Sequence, residues 1–125
     1  MPNAIVHVEI VGPRPAALRS FYAELFGWTF DMSAETAAEV STPTDYGFTS
    51  SVNGAGIAGG VGGGEGFAPG VVVYVGVDDV GAALAKAIAL GGAHVMGPVQ
   101  NPGKGIVVAH FRDPQGSVLG LAGPV

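Results

Sequence analysis

The 125-residue sequence predicts an α+β domain made of two similar halves, each with the element order β-α-β-β-β. The first observation is a loose repeat: the segment 16–27 recurs as 82–91, and each copy follows a β-rich segment and precedes short strands. The second is the stretch 105–121, which predicts a strand, a tight turn and a second strand. Because neither half buries its sheet face alone, we expect one folding unit. We place a single domain at 1–125, with module one at 3–66 and module two at 70–125.

Module one begins with a strand and a helix. The β-branched segment Ala4–Val11 predicts a strand that Gly12–Pro15 ends. Ala16–Phe26 predicts a helix, with Gly27 after its end in the left-handed conformation. Apolar side chains recur on this helix at helical spacing, which predicts that they pack in the core, with Arg19 off the stripe. These side chains are Leu18, Phe21, Tyr22, Leu25 and Phe26.

The remainder of module one has weaker signals. Trp28–Asp31 predicts a short strand, 32–45 a loop and Tyr46–Asn53 a further strand. The glycine-rich segment 54–66 lacks the Gly-Lys-Ser/Thr ending of a phosphate-binding loop. Because glycine raises the entropic cost of ordering a backbone, we expect a flexible hairpin or lid there.

Module two has clearer signals. Val71–Val77 predicts a strand, and Val80–Leu90 predicts a helix capped by Asp78 or Asp79. Ala93–Met96 predicts a short strand, followed by a loop over 97–103. The closing hairpin turns at 113–116, where we expect the Asp113 side chain to hold the turn.

Composition and charge exclude several classes of function. The chain is 48% hydrophobic and 12% charged, enough for a core, and its formal net charge is −5. Its five basic residues do not cluster, so we expect no nucleic-acid surface. The absence of cysteine excludes disulfides and thiolate chemistry. No secretory signal or membrane-spanning run is visible, so we expect a cytoplasmic protein with no membrane partner.

A set of short motifs, in order along the chain, carries a family resemblance. The motifs are His7 in the first strand, Phe21-Tyr22 with Phe26-Gly27-Trp28, Val77–Val80, Gly91-Gly92 and Phe111–Gly116. With them the sequence resembles the vicinal oxygen chelate superfamily, which includes glyoxalases, bleomycin resistance proteins and ring-cleaving dioxygenases. The resemblance implies a half-barrel sheet around a cavity with the helices outside, and a homodimer.

The resemblance also implies positions for a catalytic divalent metal. Relatives that use a metal have ligands at positions corresponding to His7, to about Val72 and to Gly120, with another carboxylate in the segment 57–64. Only His7 has a metal-binding side chain here. We therefore expect no metal or other cofactor, with a divalent metal at a differently built site as the alternative.

Strand alternation predicts a polar cluster in the cavity. If His7 faces inward, Glu9 does too, and Val72 and Tyr74 follow from the second half. On the last hairpin we expect Val108, His110 and Arg112 to face the cavity, because Phe111 suits a core covered by helices. Polar groups in an apolar hollow are typical of a small-molecule pocket. The predicted ligand-binding residues are His7, Glu9, Tyr74 and His110.

Three interpretations of this cluster remain open. The histidines are structural side chains, with Glu9 paired to one of them; or the cluster binds a ligand without chemistry; or it is catalytic. In the catalytic case either His7 or His110 acts as a general base oriented by Glu9, or the three residues form a rebuilt metal site. We expect His94 to lie on the surface.

The function that we expect is the binding of a small organic ligand between the two modules, as in drug-sequestering antibiotic resistance proteins. One alternative is a divalent-metal-dependent lyase, isomerase or dioxygenase. Another is a structural or partner-binding dimer with a vestigial cavity.

Overall fold

A mixed seven-stranded sheet carries both halves of the sequence repeat in the computed structural model, which describes residues 2–50 and 56–125. The elements in chain order are β1 (Ile5–Gly12), α1 (Pro15–Phe26), β2 (Gly47–Thr49), β3 (Ala58–Gly63), β4 (Gly70–Gly76), α2 (Val80–Ala89), β5 (Ala93–Asn101), β6 (Ile106–Arg112) and β7 (Val118–Pro124). The spatial order of the strands is β2-β3-β1-β4-β7-β6-β5.

The internal repeat reappears in how the strands pair. In the first half β1 runs parallel to β3, and β3 pairs antiparallel with β2. In the second half β4 runs parallel to β7, and β7 pairs antiparallel with β6. The antiparallel pair of β1 and β4 joins the halves into one sheet. The predicted α+β class with two related halves is confirmed.

The glycine-rich segment is the main difference from prediction in the first half. Residues 58–63 form β3, which lies between β1 and β2, so the predicted lid is wrong for that part. Residues 54 and 55, and 51–53 of the predicted Tyr46–Asn53 strand, lie outside the described residues. The predicted strand Trp28–Asp31 reduces to one isolated bridge between Asp31 and Phe48.

In the second half, β5 is longer than predicted. It continues from Ala93 to Asn101, through most of the predicted 97–103 loop. Register shifts on either side of Met96 let the strand accommodate Gly97 and Pro98 while it stays paired with β6.

Three local predictions are confirmed at the ends of elements. Gly27 follows α1 with φ 73°, in the left-handed region. The Asp79 side chain accepts a hydrogen bond of 2.9 Å from the backbone N–H of Ala82 at the start of α2. Asp113 accepts bonds from the backbone N–H groups of Gln115 and Ser117 and so holds the hairpin turn.

The apolar stripe of α1 does not pack as predicted. The side chains of Phe21, Leu25 and Phe26 are more than half exposed. Arg19, expected off the buried face, has a side chain only 12% exposed. Its guanidinium donates to the backbone oxygens of Asp45 and Val61 and pairs with the Asp45 carboxylate. The sheet surface below α1 is the glycine-rich β3, which offers carbonyls more than side chains for packing.

Two apolar clusters lie on opposite faces of the sheet. Val80 and Leu84 of α2 pack with Ala109 and Leu121, and Phe111 packs against this cluster. The other face carries Val40, Tyr46, Tyr74 and Val108. Because Val108 and Ala109 are adjacent, they mark the two faces. No helix among the described residues is long and apolar enough to cross a membrane.

Candidate functional site

A cavity of about 430 Å³ lies on the face of the sheet that carries Val108. Its wall is mostly apolar, with a few polar side chains. The lining residues are Val6, His7, Glu9, Tyr46, Phe48, Tyr74, Gly76, Val77, Asp78, Asn101, Ile106, Val108, Ala122 and Gly123. Both halves of the chain contribute, as expected for a hollow between two modules.

Strand register aligns the predicted site residues. His7 pairs with Tyr74 across β1 and β4, Tyr74 pairs with Gly120 across β4 and β7, and Gly120 pairs with His110 across β7 and β6. Glu9 lies two residues along β1 from His7, so both side chains project from the same face. The four predicted ligand-binding residues are therefore brought together, although His110 does not line the cavity directly.

A continuous chain of hydrogen bonds joins these residues through a fifth one, Tyr46. Tyr46 Oη donates to Glu9 Oε1 at 3.0 Å and lies 2.8 Å from His7 Nε2. Tyr74 Oη bonds both oxygens of Glu9, at 3.2 and 3.1 Å, and lies 2.6 Å from His110 Nε2. We call this sequence of contacts, His7–Tyr46–Glu9–Tyr74–His110, the polar chain.

The polar chain differs from the direct pairing of Glu9 with a histidine that the structural interpretation assumes. A tyrosine hydroxyl separates each histidine from the carboxylate, so that pairing is wrong, whereas orientation of a histidine by Glu9 would have to act through a tyrosine. A second prediction fails at Arg112, which is exposed and donates to the Gly116 carbonyl instead of facing the cavity. His94 lies on the surface as predicted, with Nε2 2.7 Å from the Gly97 oxygen.

Burial dominates the electrostatics of the polar chain. Glu9 is 2% exposed, and burial raises its pKa to about 7, although hydrogen bonds from Tyr46 and Tyr74 act in the opposite direction. Burial, with a smaller effect of the Lys104 charge, lowers the pKa of His7 to about 4. Burial also lowers the pKa of His110 and raises those of both tyrosines. At neutral pH the histidines are therefore neutral and the tyrosines protonated.

Tyr46 is the site residue that the sequence reasoning missed. It is 2% exposed, and its ring lies over Gly60 and Gly62 of β3, where a Cβ atom would overlap the ring. Gly60 and Gly62 are two residues apart and so lie on the same face of their strand. Glycines at alternate strand positions indicate that another group approaches that face of the strand closely. This pattern is the feature of the sequence from which a large side chain over β3 could have been predicted.

The second half has the same arrangement of tyrosine over glycine. A Cβ atom at Gly120 would overlap the ring of Tyr74. Gly120 is one of the positions at which the family resemblance implies a metal ligand. Gly60 lies in the segment 57–64, where the resemblance implies another carboxylate ligand. The tyrosine rings therefore occupy the space that carboxylate side chains would need.

The His, Asp and Glu side chains around the cavity decide whether the site fits the divalent metal of the family. The part of the chain that the structure describes holds no group of three or more His, Asp or Glu side chains placed to bind a metal. Glu9 already accepts hydrogen bonds from the hydroxyls of Tyr46 and Tyr74, which lie against both of its oxygens. The residues present do not fit the metal centre of the family.

The family is established by comparison with known proteins. The model of the Glyoxalase/Bleomycin resistance protein/Dioxygenase superfamily matches residues 4–121, nearly the whole chain. The chain belongs to this superfamily, which confirms the resemblance seen in the sequence. A search of curated proteins finds no match.

Similar solved structures include enzymes of this fold. A Streptomyces coelicolor methylmalonyl-CoA epimerase variant in complex with 2-nitronate-propionyl-CoA has 15% identity and a TM-score of 0.71, covering 100% of this chain and 96% of that one. The methylmalonyl-CoA epimerase from Mycobacterium tuberculosis has 15% identity and a TM-score of 0.68, covering 97% and 87%. A hypothetical protein from Bacillus halodurans C-125 has 11% identity and a TM-score of 0.70, covering 100% and 96%. At such identities the likeness shows the fold alone.

Proposed function

We propose that this protein binds a small organic molecule in the cavity between its two modules, without the catalytic metal of the superfamily. The observation that carries the proposal is the cavity itself: about 430 Å³, with mainly apolar walls and the polar chain along one side. This volume and this mixture are typical of sites that hold small ligands. Methylmalonyl-CoA epimerases of the same fold are described with acyl-CoA ligands bound, which agrees with ligand binding by this architecture.

The electrostatics favour binding over proton abstraction. A general base works best when its pKa lies near the working pH, and burial lowers the pKa of His7 to about 4. Glu9 has a suitable pKa, but both its oxygens are occupied by tyrosine hydroxyls and it is almost completely buried. The lyase, isomerase or dioxygenase alternative requires metal donors that the described residues do not bring together.

A thermal-shift screen with small aromatic and cationic compounds tests the proposal. Compounds that raise the melting temperature of the wild type are titrated calorimetrically against two variants. Val6→Trp places a ring at the rim of the cavity, where Val6 is 42% exposed, and is expected to abolish binding. Ile88→Trp is the matched control, because Ile88 is similarly exposed on α2, away from the cavity.

The result expected is binding that is lost in Val6→Trp and kept in Ile88→Trp. Loss of binding in both variants, or in neither, would place the ligand elsewhere. If no compound stabilises the wild type, the alternative of a dimer with a vestigial cavity gains support.

Cytoplasmic location, homodimerisation and a role in antibiotic sequestration are parts of the same proposal. The acidic net charge of −5 is compatible with a cationic drug as ligand. Light scattering after size-exclusion chromatography measures the assembly state directly, and a monomer at all concentrations would remove the homodimer from the proposal.

A further inference from the structure

The directions of the hydrogen bonds in the polar chain are fixed by counting protons. Each tyrosine hydroxyl has one proton, so a tyrosine that bonds both Glu9 and a histidine donates to one and accepts from the other. At pH 8, above the pKa of about 7 that burial gives Glu9, its carboxylate is ionised and only accepts, so Tyr46 and Tyr74 both donate to it. Each histidine must then supply the proton of its own contact from Nε2.

This count also determines the protonation state of Nδ1, the other ring nitrogen of each histidine. A neutral imidazole carries one proton, so a histidine with Nε2–H has a bare Nδ1 that accepts hydrogen bonds. His7 Nδ1 has no hydrogen-bond partner among the described residues. It is also absent from their fully buried polar atoms without a partner, so it keeps some exposure. His7 lines the cavity, and Nδ1 is the ring nitrogen that no described protein group occupies.

We propose that Glu9, acting through Tyr46 and Tyr74, is a positioning residue that holds His7 and His110 as Nε2–H tautomers, so that His7 offers Nδ1 to a ligand group that donates a hydrogen bond. The ligand part of this inference rests on the proposed function. The tautomers do not, because they follow from contacts within the protein.

Charge around the cavity selects among donor groups. Two acidic side chains, Glu9 and Asp78, line the cavity. No lysine or arginine does among the described residues, and the nearby Lys104 ammonium lies over the Phe48 ring, 4.3 Å from its centroid. Above the pKa of about 7 of Glu9, these two acidic side chains and Lys104 together leave one net negative charge. A protonated amine on an apolar or aromatic body is therefore the favoured ligand class, and an organic anion is disfavoured.

Nitrogen-15 NMR of the imidazole rings at pH 8 tests the tautomers without any ligand. In the wild type both His7 and His110 are expected as Nε2–H. Glu9→Gln keeps the size of the side chain but adds an amide donor. Placed where Oε2 lies, that amide donates to Tyr74 across the shorter of the two Tyr74 contacts, so we expect the Tyr74 hydroxyl to turn its proton away from the side chain, whose Oε1 lies 3.2 Å away, and to donate to His110. His110 is then expected to change to the Nδ1–H tautomer while His7 keeps Nε2–H.

Two further variants control the experiment. Tyr46→Phe keeps the ring over Gly60 but removes the hydroxyl, and His7 is expected to become a mixture of tautomers while His110 is unchanged. Tyr22→Phe on α1 is expected to change neither. A wild-type Nδ1–H tautomer at either histidine, or a His110 that does not respond to Glu9→Gln, would overturn the proposal.

A matched pair of probes tests the ligand class by the same method. Benzylamine is expected to bind more tightly than benzoate and to shift the His7 Nδ1 resonance. Tighter binding of benzoate would overturn the assignment of a donor ligand while leaving the proposed function standing. If small organic probes as a class fail to bind, the proposed function fails and the donor assignment with it, whereas the tautomers are judged by the ligand-free spectra.

Discussion

Tyr46 and Tyr74, which come from different halves of the chain, both donate hydrogen bonds to the Glu9 carboxylate: Tyr46 lies 3.0 Å from Oε1, and Tyr74 lies 3.2 and 3.1 Å from Oε1 and Oε2. The carboxylate is thus held at the junction of the two modules by one hydroxyl from each. An isolated buried carboxylate is costly, and these donors compensate part of that cost. The polar chain therefore links the stability of the sheet to the chemistry of the cavity.

Removing either hydroxyl should destabilise the protein more at pH 8 than at pH 5. Tyr46→Phe and Tyr74→Phe are each expected to lower the free energy of unfolding by about 1–3 kcal/mol at pH 8, where the carboxylate is ionised and its hydrogen bonds are stronger. Urea denaturation at both pH values measures the difference, with Tyr22→Phe as the control. Equal losses at both pH values would show that the hydroxyls do not stabilise a charged Glu9.

Glu9 and His7 should affect stability in opposite directions as pH rises. The pKa of Glu9 rises from 4.5 to about 7 on folding, so the folded state holds the proton more tightly than the unfolded state. The stability that this proton contributes is therefore lost as pH rises from 4.5 to about 7. The pKa of His7 falls from 6.5 to about 4, so its contribution increases between pH 4 and 6.5. Each amounts to about 3 kcal/mol, and the two nearly cancel over most of the window.

Single variants should reveal each contribution. Relative to wild type, Glu9→Gln is expected to gain stability as pH rises through 4.5 to 7, and His7→Gln to lose stability as pH rises through 4 to 6.5. Chemical denaturation across pH 4–8 gives these differences. If the curve for Glu9→Gln runs parallel to that of the wild type, Glu9 does not have a raised pKa.

The glycines beneath the tyrosine rings should tolerate no side chain. Gly60→Ala and Gly120→Ala are each expected to lower the free energy of unfolding by about 1–3 kcal/mol, since a methyl group would overlap Tyr46 or Tyr74. Gly70→Ala is the control, because its site is open. The Gly60→Ala loss should shrink in a Tyr46→Ala background, since the hydroxyl and two ring carbons of Tyr46 are the nearest atoms, and a double-mutant cycle measures this coupling.

Metal retention should be well below one ion per chain. The protein is incubated with Mn, Fe, Ni, Co and Zn, exchanged exhaustively into metal-free buffer and analysed by mass spectrometry. We expect no stoichiometric retention, since the described residues bring together no set of three donors. Near-stoichiometric retention that disappears in His7→Ala would restore the metal-dependent enzyme as the leading interpretation.

Much of the architecture was predictable because it depends on local patterns. Proline, glycine and capping aspartate mark the ends of both helices, and β-branched runs mark β1 and β4. The repeat of these patterns predicted two related halves. Alternation along β1, β4 and β6 placed His7, Glu9, Tyr74 and His110 on a common face, although register, which aligns His7 with Tyr74, needed the structure.

What could not be predicted depends on contacts between distant segments. β3 is rich in glycine and has little strand propensity, but it is held by pairing with β1 and β2 and covered by Tyr46. Tyr46 follows an irregular segment with no periodic pattern, and its partner Glu9 lies 37 residues earlier. On α1, helical spacing identified an apolar stripe, but the glycine-rich strand below selects the Arg19 face instead.

The measurement that tests the central claim most directly is an NMR map of ligand binding on the wild-type backbone. A compound that stabilises the protein is titrated while amide resonances are followed. We predict the largest shifts around the cavity, at Val6, Asp78, Ile106 and Gly123, saturating at one ligand per cavity. Shifts confined to other surfaces, such as Phe21 and Val71 beside α1, would contradict the claim that the cavity between the modules is the binding site.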